Sequence, residues 1–233
     1  MEKQEERELD LSIVMPCLNE ESTVGYSVDD AIRFMRENSI CGEVIVVDNG
    51  SSDASSKVAI GHGAKVLTEP RKGYGRALRT GFEQAKGRVI IMGDCDTTYD
   101  FYHLMDMYQP LTNGEYHMVI GNRYAGGIEK GAMPLSHKLG VRFLSYCGRK
   151  RFGVNIYDFH CGIRGFTKEA YNKMEFKTDG MEFATEIIAE IAKNNMTIKE
   201  IPVPLKRCEY DRKSKLRTIR DGLRHLRYIY SRK

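Results

Sequence analysis

Two carboxylates one residue apart close a short apolar run, Arg88-Val89-Ile90-Ile91-Met92-Gly93-Asp94-Cys95-Asp96. Bounded by Gly87 and Gly93, the run has the length and flanks of a buried strand. Residues i and i+2 of a strand point to the same side, so at the strand end Asp94 and Asp96 can converge on one hard cation. Mg²⁺ and Mn²⁺ take oxygen ligands and bind through one or two carboxylates plus substrate phosphates. The pair predicts a metal–diphosphate site and a nucleotide-activated substrate. Asp pairs also cap ordinary turns, so the elements that position this one must decide.

Those elements alternate through the first half. Leu11–Met15 reads as a strand, Ser22–Glu37 as a helix and Glu43–Asp48 as a strand. A helix over Asp53–Ile60, capped near Ser52 or Asp53, follows. Ala64–Leu67 is a short strand, Tyr74–Ala85 a helix and Arg88–Met92 the next strand. This spacing predicts a mostly parallel sheet with helices on both faces. Ligands bind beyond the carboxyl ends of such strands, where Pro16-Cys17-Leu18-Asn19-Glu20, Asp48-Asn49-Gly50-Ser51-Ser52-Asp53 and the D-x-D collect. Three strand ends thus aim acids and turn residues at one rim, a coincidence that core packing does not require.

The second half is less regular. His117–Ile120 predicts a strand leading into Gly121-Asn122-Arg123-Tyr124, and the Gly-rich stretch Ala125–Ala132 a mobile loop. Ser136–Arg151 and Met181–Lys193 predict helices. Thr197–Leu205 predicts an edge strand, because Pro202 and Pro204 interrupt its ladder. Over Ser214–Tyr230, the residues Leu216, Ile219, Leu223, Leu226 and Ile229/Tyr230 fall on one helical stripe, with Arg217, Arg220, Arg224 and Arg227 on another. The expected division is a charged tail over 1–10, one catalytic domain over 11–213 and a basic amphipathic helix over 214–233.

The 233 residues are 41% hydrophobic, enough for one α/β domain with a sizeable core. No apolar run approaches the length of a membrane span, and Met1–Asp10 lacks the apolar stretch of a signal peptide. Six scattered cysteines without C-x-x-C spacing indicate neither a zinc site nor a disulfide framework. A reduced, cytoplasmic location is expected. From Lys206 onward, eleven Lys/Arg face three Asp/Glu, a net charge of +8 within a chain of +4. That terminus predicts an anionic partner.

Taken in order, these motifs resemble the family 2 glycosyltransferases of GT-A fold, closest to the branch that moves a sugar from a nucleotide to polyprenyl or dolichyl phosphate. Gly73-Tyr74-Gly75, Asp158-Phe159-His160-Cys161-Gly162-Ile163-Arg164, Gly180-Met181-Glu182-Phe183 and Arg212-Lys213-Ser214-Lys215 complete the pattern. The resemblance implies that Pro16, Asn19 and Glu20 wrap the nucleobase and ribose while Asp48 reads the base edge. Gly73 would lie over the diphosphate, and Asp94 would touch the ribose side and, with Asp96, hold Mg²⁺ or Mn²⁺. Arg123 would neutralise the diphosphate, and Arg212, Ser214 and Lys215 would meet the acceptor phosphate, with Arg164 and Glu182 beside them. Asp158 matches the family's candidate base. Some relatives place a Gln metal ligand where this chain has Thr98, which leaves the third ligand open, and many continue into transmembrane helices that are not seen here.

The implied reaction is inverting, metal-dependent transfer of a hexose from a nucleotide sugar, a UDP-sugar such as UDP-glucose, to polyprenyl phosphate by a peripheral enzyme on the cytoplasmic face of an anionic membrane. A homo-oligomer is compatible with it. Read from the residues alone, Asp158 is equally a buried partner of Arg164; an Asx-turn is the second reading of Asp48, behind the nucleotide contact, and Glu186 reads as a solvated helix face. His160 reads as a hydrogen-bonded core histidine, and Cys95 and Cys161 as small buried fillers. Two other functions stay open: a soluble transferase with a hydroxyl acceptor, which needs a true base, and a basic binding module. No nucleic-acid partner is expected, since the basic segment lacks a reading motif.

Overall fold

The computed structural model describes residues 9–208, 210 and 218–231. Its elements are β1 (Leu11–Cys17), α1 (Val24–Glu37), β2 (Gly42–Asp48), α2 (Ser55–Gly61), β3 (Lys65–Thr68), α3 (Tyr74–Gln84), β4 (Val89–Met92) and α4 (Met105–Thr112). They continue with β5 (Met118–Asn122), α5 (Arg123–Gly126), α6 (Leu135–Phe152), β6 (Arg164–Thr167), α7 (Lys168–Asn172), α8 (Phe183–Lys193), β7 (Ile198–Pro202) and α9 (Thr218–Ser231).

One sheet orders these strands β3-β2-β1-β4-β6-β5-β7. β3, β2, β1 and β4 run parallel, and β6 lies antiparallel between β4 and β5. Helices cover both faces. β1 and β4 are apolar and buried nearly throughout, as strands covered on both faces must be. Gly81 of α3 lies so close to Val14 and Val47 that any Cβ there would collide with both, which lets α3 sit flat on the sheet. Phe82, Phe166 and Phe183 tie α3, β6 and α8 together, and Phe34 meets Tyr108 edge-on between α1 and α4.

The alternating first half matches expectation to within one or two residues at most boundaries. α2 starts at Ser55, with the Asp53 Oδ1 accepting the Ser55 amide at 3.0 Å and the Glu21 carboxylate accepting the Ala54 amide at 2.7 Å. β7 occupies the sheet edge, as expected from Pro202 at its end and Pro204 just beyond. The stretch 125–132 is not the loose loop its glycines suggest. It begins inside α5, and Ile128 forms a bridge with Leu205. Leu205 donates to the Gly127 carbonyl at 2.9 Å, and Glu129 to the Leu205 carbonyl at 3.0 Å. α4, α5, β6 and α7 are not among the elements expected from the sequence. α9 packs on α6 and α8, and no helix among the described residues is long and apolar enough to cross a membrane.

Candidate active site

β1 and β2 pair in parallel with Cys17 opposite Asp48, so the loops that follow leave the same edge side by side. They are laced together. Asn19, held at a φ of 52°, donates its amide to Ser51 Oγ at 2.9 Å and accepts the Ser52 amide at 2.8 Å. The Glu20 amide donates to Ser55 Oγ at 2.8 Å. Asp48 accepts the Gly50 and Ser51 amides at 3.1 and 2.8 Å and the Ser56 hydroxyl at 2.6 Å. Burial alone would raise its carboxyl, but these donors outweigh it and hold the pKa below the ordinary value. Asn49 spans to the next loop, donating to the Glu69 and Arg71 carbonyls and accepting the Gly73 amide at 2.8 Å. Gly73 sits at a φ of 154°, a backbone state that favours glycine.

These loops enclose a cavity of about 300 Å³ lined by Pro16, Glu20, Asn49, Lys72, Gly73, Tyr74, Asp94 and Asp96, with Cys17, Cys95 and Met181 among its apolar wall. Pro16, Glu20, Gly73, Asp94 and Asp96, five residues singled out in the sequence, thus share one wall. Asn19 and Asp48 do not line it; they brace the loops that do. Asn49, Lys72 and Met181 were missed as lining residues, although all three lie inside or beside quoted motifs.

Asp94 lies beyond β4, with the Tyr74 hydroxyl beside it. Burial first and the Asp94 charge next push the Tyr74 hydroxyl well above its ordinary pKa, so it stays neutral. A Cβ on Gly162 would come within 2.6 Å of Asp94 Oδ2, so this loop approaches the carboxylate as only glycine allows. Asp96 accepts the Thr98 amide at 3.1 Å and also the Thr98 hydroxyl, which fixes the carboxylate and commits the side chain at the position where some relatives carry a metal ligand. Among the described residues no three His, Cys, Asp or Glu gather as a complete ligand set. Two hard oxygen donors at a strand end nonetheless fit Mg²⁺ or Mn²⁺, whose other positions diphosphate and water fill.

A second cavity, of about 320 Å³, adjoins the first and shares Tyr74, Asp94 and Met181 with it. Its polar lining is Arg123, His137, His160 and Arg164, with Asp221 and His225 from α9; its apolar lining is Val141, Phe143 and Leu144 of α6 and Leu223 and Leu226 of α9. Arg123 is clamped by Asp158 through Nε at 2.7 Å and Nη2 at 2.8 Å, with the Arg123 amide donating to the same carboxylate at 3.1 Å. Asp158 is fully buried, and its own amide donates to Glu200 at 2.7 Å. The partner of Asp158 is therefore Arg123, where the sequence suggested Arg164. Arg164 instead donates to the carbonyls of Phe159, Cys161 and Ala184, cross-bracing the loop and α8. Glu182 is paired with Arg224 of α9 at 2.8 Å. Glu186 is not a solvated face: it is buried and accepts the Lys177 and Thr178 amides. Arg212, Ser214 and Lys215 lie outside the described residues; Tyr210, just before them, stacks on Tyr26 of α1 at 5.7 Å.

The match to the family model "Glycosyl transferase family 2" covers residues 12–174, well over half of the chain. The chain belongs to glycosyl transferase family 2. Among the relatives of this transferase, the low-salt glycan biosynthesis hexosyltransferase of Haloferax volcanii is 36% identical over 94% of the chain and 52% of that protein. A dolichyl-phosphate hexose transferase of the same organism is 29% identical, over 84% of the chain and 82% of that protein. The chain therefore spans about half of the first relative and most of the second. Glucosyl-3-phosphoglycerate synthase from Mycobacterium tuberculosis, solved with Mn²⁺, UDP and product, superposes with a TM-score of 0.76 at 20% identity, over 96% of this chain and 79% of that one. It shows a shared GT-A fold.

In the transferase, α9 is pinned over the second cavity by a histidine pair, His225 buried and His160 half-buried. His160 Nε2 and His225 Nδ1 lie 3.2 Å apart, and Thr185 Oγ1 reaches His225 at 2.8 Å. Burial first, then Arg164 and Arg224, lowers His225 to about 4. Burial and the His225 charge push His160 well down too. An unfolded His titrates near ~6.5, so the unfolded chain binds more protons between about 6.5 and 4, and stability falls as pH falls through that window. For His225 alone the loss amounts to about 3 kcal/mol. Tm measured from pH 7 to 4 should therefore fall less in His225→Gln than in the parent; parallel curves would remove His225 from the cause.

Proposed function

We propose that the chain transfers a hexose, with inversion, from a UDP-sugar to a polyprenyl phosphate at a membrane surface. The observation that carries this reading is the pair of adjoining cavities, one acid-rimmed and one lined by Arg123 and by apolar side chains of α6 and α9, with Asp94 and Tyr74 in their common wall. The relatives named for hexosyl transfer and for dolichyl phosphate support the sugar and acceptor classes, and the UDP complexes of the fold neighbour support the donor.

In this reading the nucleotide lies in the first cavity against Pro16, Glu20 and Asn49, and Lys72 approaches its phosphates. Asp94 and Asp96 would hold Mg²⁺ or Mn²⁺. Bound there, the ion supplies positive charge to the leaving diphosphate. Tyr74, kept neutral by its burial, stands beside Asp94 in the lining common to the two cavities. The acceptor lies in the second cavity, its phosphate at Arg123 and its first apolar carbons among Val141, Leu144 and Leu226. A phosphate oxygen forms the new bond to the anomeric carbon as the carbon–oxygen bond to the diphosphate breaks, and the electron pair leaves with UDP. No proton needs to move, because the acceptor is already anionic. Approach of two anions is the main obstacle, and preorganised cations in a site shielded from water lower it.

Neither Asp158 nor Glu182 lines either of these two cavities, and each is paired with an arginine. That favours an acceptor needing no base over a sugar or peptide hydroxyl. Asp158 then acts through Arg123, holding its guanidinium at the cavity wall. The test is UDP release from a panel of nucleotide sugars with Mn²⁺, using a short water-soluble polyprenyl phosphate beside free sugars. A UDP-hexose with the lipid phosphate is the expected productive pair. Turnover on free sugars but not on the lipid phosphate would overturn the reading.

A further inference from the structure

α6 turns an apolar stripe away from the protein. Leu135, Leu139, Phe143 and Tyr146, at spacings of four, four and three, share one helix face and are 72, 60, 57 and 51% exposed. The stripe expected on α9 divides: Ile229 turns inward beside His225 and Tyr228, Leu226 is half-buried, and Leu223 and Tyr230 stand out at 61 and 66%, while the Leu216 and Ile219 side chains lie outside the described residues. The two exposed sets adjoin. Phe143 and Leu223 both line the second cavity, and the Tyr230 hydroxyl lies beside Cys147, next to Tyr146. Scattered exposed apolar residues need no explanation, but six large ones on two packed helices form a patch of the kind that marks an interaction surface.

The charge around the patch identifies its partner. α6 carries five Lys/Arg and no acid, and α9 three Arg against Asp221. Arg220, Leu223, Arg227 and Tyr230 alternate cation and apolar group along one stripe, the arrangement of a helix lying in a lipid interface with its basic side chains reaching headgroups. Two copies of so basic a face repel each other, which argues against self-association through it.

We infer that the paired faces of α6 and α9 dock the enzyme on an anionic lipid surface, with α6 supplying the apolar insertion and α9 the basic contacts. Docked so, the apolar lining of the second cavity opens toward the acyl layer, a consequence that rests on the acceptor reading above. The docking itself does not.

The experiment is co-sedimentation of the full chain with vesicles of two parts phosphatidylcholine to one part phosphatidylglycerol, at 0.1 and 0.5 M salt (roughly the range over which the Debye length halves). The parent should sediment. Leu135→Glu/Leu139→Glu should reduce the bound fraction about tenfold or more at both salt concentrations, with Tm and turnover on a short soluble polyprenyl phosphate unchanged. Arg220→Gln/Arg227→Gln should reduce it severalfold at low salt, with less difference at high salt. Sedimentation of the leucine double variant equal to the parent, or no sedimentation of the parent, would overturn the inference. So would a solution dimer that the same variant makes monomeric without any vesicle binding. If vesicle binding depends on the stripe but no polyprenyl phosphate is turned over, the acceptor reading fails and the docking stands.

Discussion

Asp96→Asn should abolish the metal-dependent stabilisation that a UDP-sugar confers and lower turnover ~10²-fold or more, a loss of several kcal/mol in charge stabilisation at the leaving group. The expectation follows from what the carboxylate does in the fold. Oδ1 accepts both the amide and the hydroxyl of Thr98, and an amide oxygen in its place still accepts them. The loop therefore keeps its shape while the site loses one hard anionic donor. Because Thr98 is committed to Asp96 and no third His, Cys, Asp or Glu gathers beside the pair among the described residues, nothing nearby replaces the missing ligand. Thermal shift checks it directly. In the parent, donor with Mn²⁺ raises Tm with the logarithm of donor concentration relative to its Kd, and in Asp96→Asn the shift should vanish while the ligand-free Tm stays within about 2 °C, since the interactions lost are local. A donor-dependent shift equal to the parent's would place the metal elsewhere.

The parts of this protein that sequence made legible are those governed by short-range rules. Runs such as Glu43–Asp48 and Arg88–Met92 identify themselves as buried strands, and a parallel sheet then fixes where its ligands bind. That is why Asp94, Asp96, Pro16 and Glu20 could be gathered in advance. What stayed hidden depends on partners distant in sequence. β6 is four residues long, Arg164–Thr167, and nothing in Arg-Gly-Phe-Thr announces an antiparallel strand; its neighbours β4 and β5 make it one. α4 spans only eight residues with Pro110 inside. The same limit governs the site. Asp158 and Arg164 are close in sequence and invite pairing, yet the fold brings Arg123 to Asp158 across 35 positions. Glu186 has the spacing of a solvated helix face, but it is buried and its two oxygens accept the Lys177 and Thr178 amides of the loop before α8. The glycines at 126 and 127 suggested mobility because close backbone approach and looseness leave the same mark in a sequence. At Gly126 it is close approach, to the Val203 backbone.

Asp158→Asn should be the most destabilising single change in the site. It leaves the nearly buried guanidinium of Arg123 without its counter-charge, and breaking such a pair from one side costs about 3 kcal/mol or more. For a domain of this size that lowers Tm by roughly 6–12 °C. The loss belongs to the unpaired charge, so Asp158→Asn/Arg123→Gln should recover most of it, since removing both members of a buried pair is often near neutral. Activity should follow a different course. With a phosphate acceptor, the single variant keeps the cation and loses only its orientation, whereas the double variant loses the cation itself and turnover should collapse although the fold has recovered. With a hydroxyl acceptor and Asp158 as base, both variants should lose ~10²–10⁴ in kcat, and the acidic limb of the pH profile should disappear with the carboxylate. Tm and the pH dependence of kcat for the parent, the single and the double variant decide between the two. Recovered stability with abolished turnover in the double variant, and an acidic limb preserved in the single one, are what an arginine held in place for an anionic acceptor requires. An acidic limb lost in the single variant would make Asp158 the base.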